Sequence, residues 1–520
     1  MNTTGTRRWW ALGALTLAVL AVGLDGTVLS VALPTLATAL HATESDLQWF
    51  SSGYLLVLAA AVLPVGLLGD RFGRKKVMLT ALVFFGAGSA ACAYAPTSGA
   101  FIAARLALGL AGAGVIVMAV SALTVLFSEA ERPRAVGVWA AANFLALPIG
   151  PILGGWLLSH YWWGWVFLIN VPVALVGLIA AFALVPESRA PARPGLDPAG
   201  VLASTAGLVG VTYGLIEAGQ NGWGAAAALI PMIAGMVLLI AFFLWERRLT
   251  KQPGGQPLID LSLFRSAAFT WGVILAATAA LAMIGVLFTM PQYFQGIQGA
   301  DALGSGMRLL PLIAGLVVGA VPSDRIARLL GARRTVTLGF VVLAAGLLLG
   351  ATTDVASSIG FVAAWMALVG AGMGIALATS TAAALSELSP ERSGVGSAVM
   401  QALQKVGGPF GAAILGSVLS SAYQARLNLA DLAGLPPAVA RAVRESLFGG
   451  LAVAERLGSP PLRDAVRAAF VHGMDVSLVV AAGIAAMGIA LTLLFLPARS
   501  AGKAAPAEAT KQEQPLVVTG

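Results

Sequence analysis

A chain of 520 residues that is 58% hydrophobic and 10% charged has too little polar surface to cover a soluble globule. Its net charge of +8 does not mark a nucleic-acid binder, because the cations gather in short loops and no basic stripe interleaves with aromatics. A single cysteine, Cys92, lies in an apolar run, which excludes an intramolecular disulfide and reads as a small buried hydrophobe.

Apolar runs near 20 residues recur along the chain, the length of a helix that crosses a bilayer. Fourteen spans are expected, at 10–33, 47–69, 76–95, 100–126, 134–158, 164–185, 198–218, 225–245, 267–290, 304–324, 335–352, 358–385, 395–422 and 472–497. The first follows Arg7 and Arg8 as a signal peptide would. No small-residue cleavage site follows it, so it is read as a retained helix. After the second span, GLLGDRFGRKKVML (66–79) reads as a tight Gly-Asp-Arg turn followed by cations. Arg71, Arg74, Lys75 and Lys76 hold such a turn in the cytoplasm, and both termini then fall on that side. Trp9, Trp10 and Trp245 mark the inner interface, and Trp49, Trp162, Trp163, Trp165 and Trp223 the outer one. His41, His160 and His472 fall at the outer edge and read as wet surface histidines.

The chain repeats itself. GDRFGRKK after span 2 is echoed by SDRIARLLGARR (323–334) after span 10, and IGPILGG (149–155) by GGPFGAA (407–413). Both echoes are eight spans apart, which predicts an all-α polytopic protein of two parallel six-helix bundles with two helices inserted between them. The expected division is 1–190 for the first bundle, 191–265 for the insert and its linkers, and 266–498 for the second bundle. The second bundle carries an outer helical hairpin at 424–470, and 499–520 form a disordered cytoplasmic tail.

Few residues in the spans carry chemistry. Asp25 in LDGTVLSVALP (24–34) costs roughly 3 kcal/mol to insert, so it must face a cavity or a partner, where it can bind and release a proton. Arg105 in RLALGLAGAG (105–114) is a buried guanidinium that needs acceptors. Pro151 kinks span 5, and Gly150, Gly154 and Gly155 are expected to let it approach the opposite bundle. In the turn, Asp70 is expected to face the positive end of span 13 at Ser393-Gly394 and to gate the cytoplasmic side. Candidates for substrate contact are Asp25, Asn143, Phe144, Tyr293, Gln295, Gln401 and Lys405, while Glu217 reads as peripheral. No P-loop, metal-ligand cluster or nucleophile-base set points to an enzyme.

The pattern G-x-L-x-D-R-x-G-R-K at 66–75 resembles the helix 2–3 loop motif of the major facilitator superfamily. Arg105 with Gly109 resembles its helix 4 motif, although Leu108 replaces a frequent glutamine. ALPIGPILGGWL (146–157) resembles its helix 5 antiporter motif, with Ala146 for the first glycine. LDGTVLSVALP, WVFLINVP (165–172), LDPAG (196–200) and PLIDLSLFR (257–265) are similar to the fourteen-helix drug:proton antiporter branch. The resemblance implies proton coupling through Asp25 and Arg105, and gating by Gly66, Asp70, Arg71, Gly73, Arg74 and, in the second bundle, Asp324. It further implies export of lipophilic, often cationic drugs by a monomer in a bacterial cytoplasmic membrane, driven by the proton-motive force without a cofactor. An arginine-glutamine pair frequent near span 13 in that branch is Gln404-Lys405 here, a departure that argues against a strongly anionic pocket. A dedicated exporter of one endogenous metabolite, antibiotic or lipid precursor, and a transport-inactive receptor or scaffold, are the competing expectations.

Overall fold

In the computed structural model the described residues are 3–127, 135, 146, 149–188, 197–252, 255, 257–258, 261–386, 390–427 and 435–497. Helices α1 (Thr3–Ala39), α2 (Glu44–Phe72), α3 (Arg74–Ala93), α4 (Ser98–Leu126), α5 (149–160), α6 (Trp165–Leu168) and α7 (Asn170–Leu184) come first. The pair α8 (Pro198–Asn221) and α9 (Ala226–Lys251) follows. Then come α10 (Ala267–Gln292), α11 (Ala302–Arg308), α12 (Leu310–Leu330), α13 (Ala332–Gly350), α14 (Ile359–Ser386) and α15 (Pro390–Arg426). Two short helices, α16 (Pro437–Glu445) and α17 (Leu447–Arg456), precede α18 (Pro460–Phe495). Among the described residues, eleven segments are long and apolar enough to cross a membrane.

Local chemistry sets the helix ends. Thr43 and Asp46 form a reciprocal capping box at the start of α2. Asp197 caps α8 with Pro198 in its first turn, and Ser459 caps α18 ahead of Pro460. The turn between α2 and α3 is one residue, Gly73, whose φ of 115° an L side chain rarely adopts. This corrects the expected Gly-Asp-Arg turn: Gly69, Asp70 and Arg71 are still helical. Gly331, with φ 83°, breaks the chain between α12 and α13 in the same way.

Among the described residues two large apolar cores result, with three smaller clusters beside them. One is built from residues between Leu15 and Val185, with Phe288 reaching in from α10. The other gathers residues from Leu275 to Leu496, with Val31 reaching in from α1. Small residues let backbones touch. A Cβ on Gly315 or Gly319 would run into the carbonyls of Ala367 and Ala371, so α12 lies directly on α14. The α8–α9 pair docks through α8, where Ser417 Oγ of α15 donates to Leu215 O. Helix α9 presents Ile230, Ile233, Val237, Phe243 and Leu244 outward.

Other boundaries also differ from expectation. The hairpin expected at 424–470 is two short helices broken at Ser446, and α18 begins at Pro460 rather than at 472, because the Ser459 cap and Pro460 start it there. The span expected at 304–324 falls within one apolar segment, Ala302–Leu330, which a turn at Leu309 divides into α11 and α12. The 499–520 tail lies outside the described residues.

Candidate functional site

Three helices of the first core bring the intramembrane charges together. Asp25 stands on α1, Arg105 on α4 and Asn170 at the start of α7. Arg105 NH1 donates to Asp25 Oδ2 at 2.5 Å, and Asn170 Nδ2 donates to Asp25 Oδ1 at 3.1 Å. Arg105 Nε donates to the Phe50 carbonyl at 3.2 Å, and the guanidinium lies 4.2 Å from the centre of the Tyr54 ring. Tyr54 in turn donates to Val22 O at 3.1 Å, on α1 one turn before Asp25. The planar fork of arginine suits this setting, since one head group serves a carboxylate, a carbonyl and an aromatic face at once.

Asp25 is 2% exposed, Arg105 1% and Asn170 2%, so the cluster is sealed inside the bundle. Both carboxylate oxygens are occupied, whereas Arg105 NH2 is buried with no acceptor among the described residues. A buried pair of this kind adds little net stability while intact, but removing one partner strands a charge at about 3–5 kcal/mol. Neutralising Asp25 would therefore leave the Arg105 guanidinium buried without its counter-ion.

The glycine motif on α5 lies beside this cluster. A Cβ on Gly150 would overlap Thr27, and one on Gly154 would sit 2.7 Å from Val28 Cγ1, both on α1. Thr27 Oγ1 also donates to Ala146 O at 3.0 Å. The expectation that these glycines meet the opposite bundle is therefore corrected for two of them: Gly150 and Gly154 press α5 onto α1, within the first bundle. Gly155 alone crosses, its Cβ position lying 2.6 Å from Ala302 O and from Leu303 Cα of α11. Gly306 of α11 approaches Pro151 O in return.

The named contacts between the two cores lie at the end of the molecule away from the Gly73 turn. Gln295 Nε2 donates to Val31 O at 3.1 Å, Gln292 Nε2 to Glu44 Oε1 at 3.3 Å, and Ser417 Oγ to Gln48 Oε1 at 3.3 Å. Gln295 is thus a seam residue. Tyr293 is not: it is fully buried and donates to Asp354 O at 2.9 Å within the second core.

At the turn end, the cations do more than mark a side. Lys75 Nζ donates to Phe182 O, an end carbonyl of α7, at 2.7 Å, and Arg74 N donates to Ser188 O at 3.0 Å. Glu187 Oε1 accepts from Lys75 N at 3.3 Å. Arg71 stands over the Phe72 ring, and Gly66 leaves 3.6 Å between its Cβ position and Val117 of α4. Asp324 in the second repeat makes an exposed pair with Arg328 on its own helix, at 2.9 Å. Gln404 Nε2 donates to Thr381 Oγ1 at 3.2 Å. Asn143, Phe144 and the side chains of Asp70, Ser393, Gln401 and Lys405 lie outside the described residues. Sequence reasoning missed Asn170, Tyr54 and Glu44; for Asn170 the signal was an amide inside the apolar run WVFLINVP.

Comparison with known proteins decides the family. The model of the Major Facilitator Superfamily matches residues 15–412. The chain belongs to the major facilitator superfamily. It is 31% identical to the tetracenomycin C resistance and export protein of Streptomyces glaucescens, over 98% of this chain and 94% of that one. It is 32% identical to the multidrug efflux pump LfrA of Mycolicibacterium smegmatis, over 92% and 94%. Against the methyl viologen resistance protein SmvA of Salmonella typhimurium the figures are 30%, 91% and 95%. Among solved structures, a bacterial homolog of the human lysosomal transporter Spinster superposes with a TM-score of 0.68 at 16% identity, covering 95% of this chain and 98% of that one. A D-xylose-proton symporter gives 0.57 at 15% identity, covering 94% and 97%. This member of the superfamily is a multi-pass transporter of the bacterial cytoplasmic membrane, not an enzyme.

Proposed function

We propose that this protein is a proton-coupled exporter of lipophilic, often cationic drugs or antibiotics, working by alternating access as a monomer. Fourteen helices, with both termini cytoplasmic, form bundles at 1–190 and 266–498 around the insert at 191–265. The observation that carries the reading is the sealed Asp25–Arg105–Asn170 cluster, a titratable carboxylate whose partners are already in place. The names of the relatives, which cover an antibiotic, multiple drugs and methyl viologen, support export of foreign or toxic compounds.

In this mechanism the Gly73 turn faces the cytoplasm, and the contacts at the other end close the outer side. A proton from outside neutralises Asp25, Arg105 loses its counter-ion, and α1, α4 and α5 shift together because Gly150 and Gly154 lock α5 on α1. The drug leaves outward, and the proton is released inside after the return. One charge crossing the membrane is worth about 2.3 kcal/mol per 100 mV, which biases the cycle without ATP when the exported drug is neutral, while the proton gradient drives exchange for a cation. A second reading is favoured by one observation: the tetracenomycin C relative, matched over 98% of this chain, is named for one antibiotic. Under that reading the same machinery serves a single endogenous product.

The test uses proteoliposomes with an inward-directed proton gradient and a lipophilic cationic dye. Gradient-driven dye movement by the wild type falls at least tenfold in Asp25→Asn. Movement that survives the substitution places the coupling elsewhere. A wild type that moves a single antibiotic and no dye supports the second reading.

A further inference from the structure

The seam between the bundles holds a carboxylate that the coupling cluster does not use. Glu44 is the first residue of α2, ahead of the apolar span at 47–69, and is 4% exposed. Its Oε1 accepts from Gln292 Nε2 on α10 of the other bundle. One turn along α2, Gln48 Oε1 accepts from Ser417 Oγ on α15, so side-chain amides join α2 to two helices of the second bundle, α10 and α15. Gln48 and Gln292 are fully buried.

Among the described residues the seam supplies no cation to Glu44. The titratable groups around it are Asp46, held by Thr43 in the capping box of the same helix, and Tyr423 of α15, whose hydroxyl donates to Val443 O at 2.7 Å. On α16, Glu445 and Arg441 act on each other, and Glu445 also feels Asp46. Burial pushes the Glu44 carboxyl from 4.5 up to about 7, against a smaller opposing effect of the Gln292 hydrogen bond. A second observation points the same way. Gln292 Oε1 is buried with no hydrogen-bond partner among the described residues, and a protonated carboxyl beside it brings the hydroxyl donor that this acceptor lacks.

We propose that Glu44 is a proton-dependent latch on the outer gate: the seam closes on the protonated carboxyl, and opening it returns the group to water as a carboxylate. The proton comes from water on that face and goes back to it, so the latch carries no net charge across the membrane. Its effect is to make closure of the outer side depend on external acidity, the condition under which Asp25 is loaded. Glu44 is a positioning residue, since nothing places it against the substrate. The role in the cycle rests on the antiport reading, whereas the latch itself is a property of the seam.

The sign follows from linkage. The closed state holds the proton up to about pH 7 and the open state only to about 4.5. The closed-to-open ratio is therefore highest below about pH 4.5, falls about tenfold per pH unit up to about pH 7, and is flat above.

The experiment needs neither substrate nor gradient. In a Cys92→Ala background, spin labels at His160→Cys on α5 and Met307→Cys on α11 report the width of the seam, both positions being exposed. Full-length protein in nanodiscs is measured by pulsed electron paramagnetic resonance from pH 5 to 8. The short-distance population is expected to fall as pH rises, to stay high at every pH in Glu44→Gln, and to keep its pH dependence in Asp25→Asn. A helical spectrum and a monodisperse elution profile for Glu44→Gln show that it is folded. A pH-dependent distance that persists in Glu44→Gln overturns the proposal, as does a parent whose distances ignore pH. Failure of gradient-driven transport of both dye and antibiotic, with an intact distance response, would sink the antiport reading and leave the latch standing.

Discussion

Asp25 and Glu44 are both buried carboxylates, 2% and 4% exposed, yet their surroundings are opposites. Asp25 has a guanidinium on one oxygen and an amide on the other, all from helices of one bundle. Glu44 has one amide at 3.3 Å, contributed by the other bundle, and no cation among the described residues. In the proposed cycle a proton displaces the pairing of Asp25 with Arg105, a change felt inside one bundle. In the proposed latch Glu44 is buried as the acid and exposed as the anion, so its protonation is tied to whether the two bundles touch.

Substitutions can break this comparison. The largest effect is expected at Arg105. Arg105→Leu strands the Asp25 charge and destabilises the folded protein by about 3–5 kcal/mol, which a large drop in thermal midpoint would reveal. The double variant with Asp25→Asn should recover much of that loss, because no bare charge remains. If the double variant is as unstable as the two single losses added together, the pairing does not hold the bundle. Asn170→Ala removes one hydrogen bond to a charged group and should cost about 1.5–3 kcal/mol, with transport reduced but present. An Asn170→Ala protein as stable as wild type would show that the amide contributes nothing. The smallest effect is expected at Asp324, where the pair with Arg328 is exposed and worth about 0–1 kcal/mol. Asp324→Asn should leave transport rates unchanged, and a large loss would restore the gating role that its place in the repeat suggests.

What the sequence disclosed follows the same division. Asp25 and Arg105 stand out because a charge in an apolar run has few structural excuses, and the 66–79 stretch because a basic break must turn somewhere, although the turn falls at Gly73 and not at Gly-Asp-Arg. Asn170 is weaker as a signal, since an amide interrupts an apolar run far less than a charge does. Glu44 gives none: in HATESDLQ it reads as a solvated acid at a helix start, and only packing against Gln292, 248 positions away, buries it. The glycines of α5 show a related limit. Their spacing reveals a close contact, but which neighbour each one meets depends on how the bundle packs, and two of the three meet α1. Lys75 was readable as an inward anchor, whereas its bond to the end of α7 required the fold.

The central claim is that the proton exchanged for substrate sits on Asp25. The most direct measurement is proton release on substrate addition to protein first loaded at acidic pH, followed with a pH indicator in weakly buffered detergent solution where the substrate itself does not titrate. The account predicts release by the wild type and none by a folded Asp25→Asn variant that still binds the compound. Equal release from both proteins would contradict it.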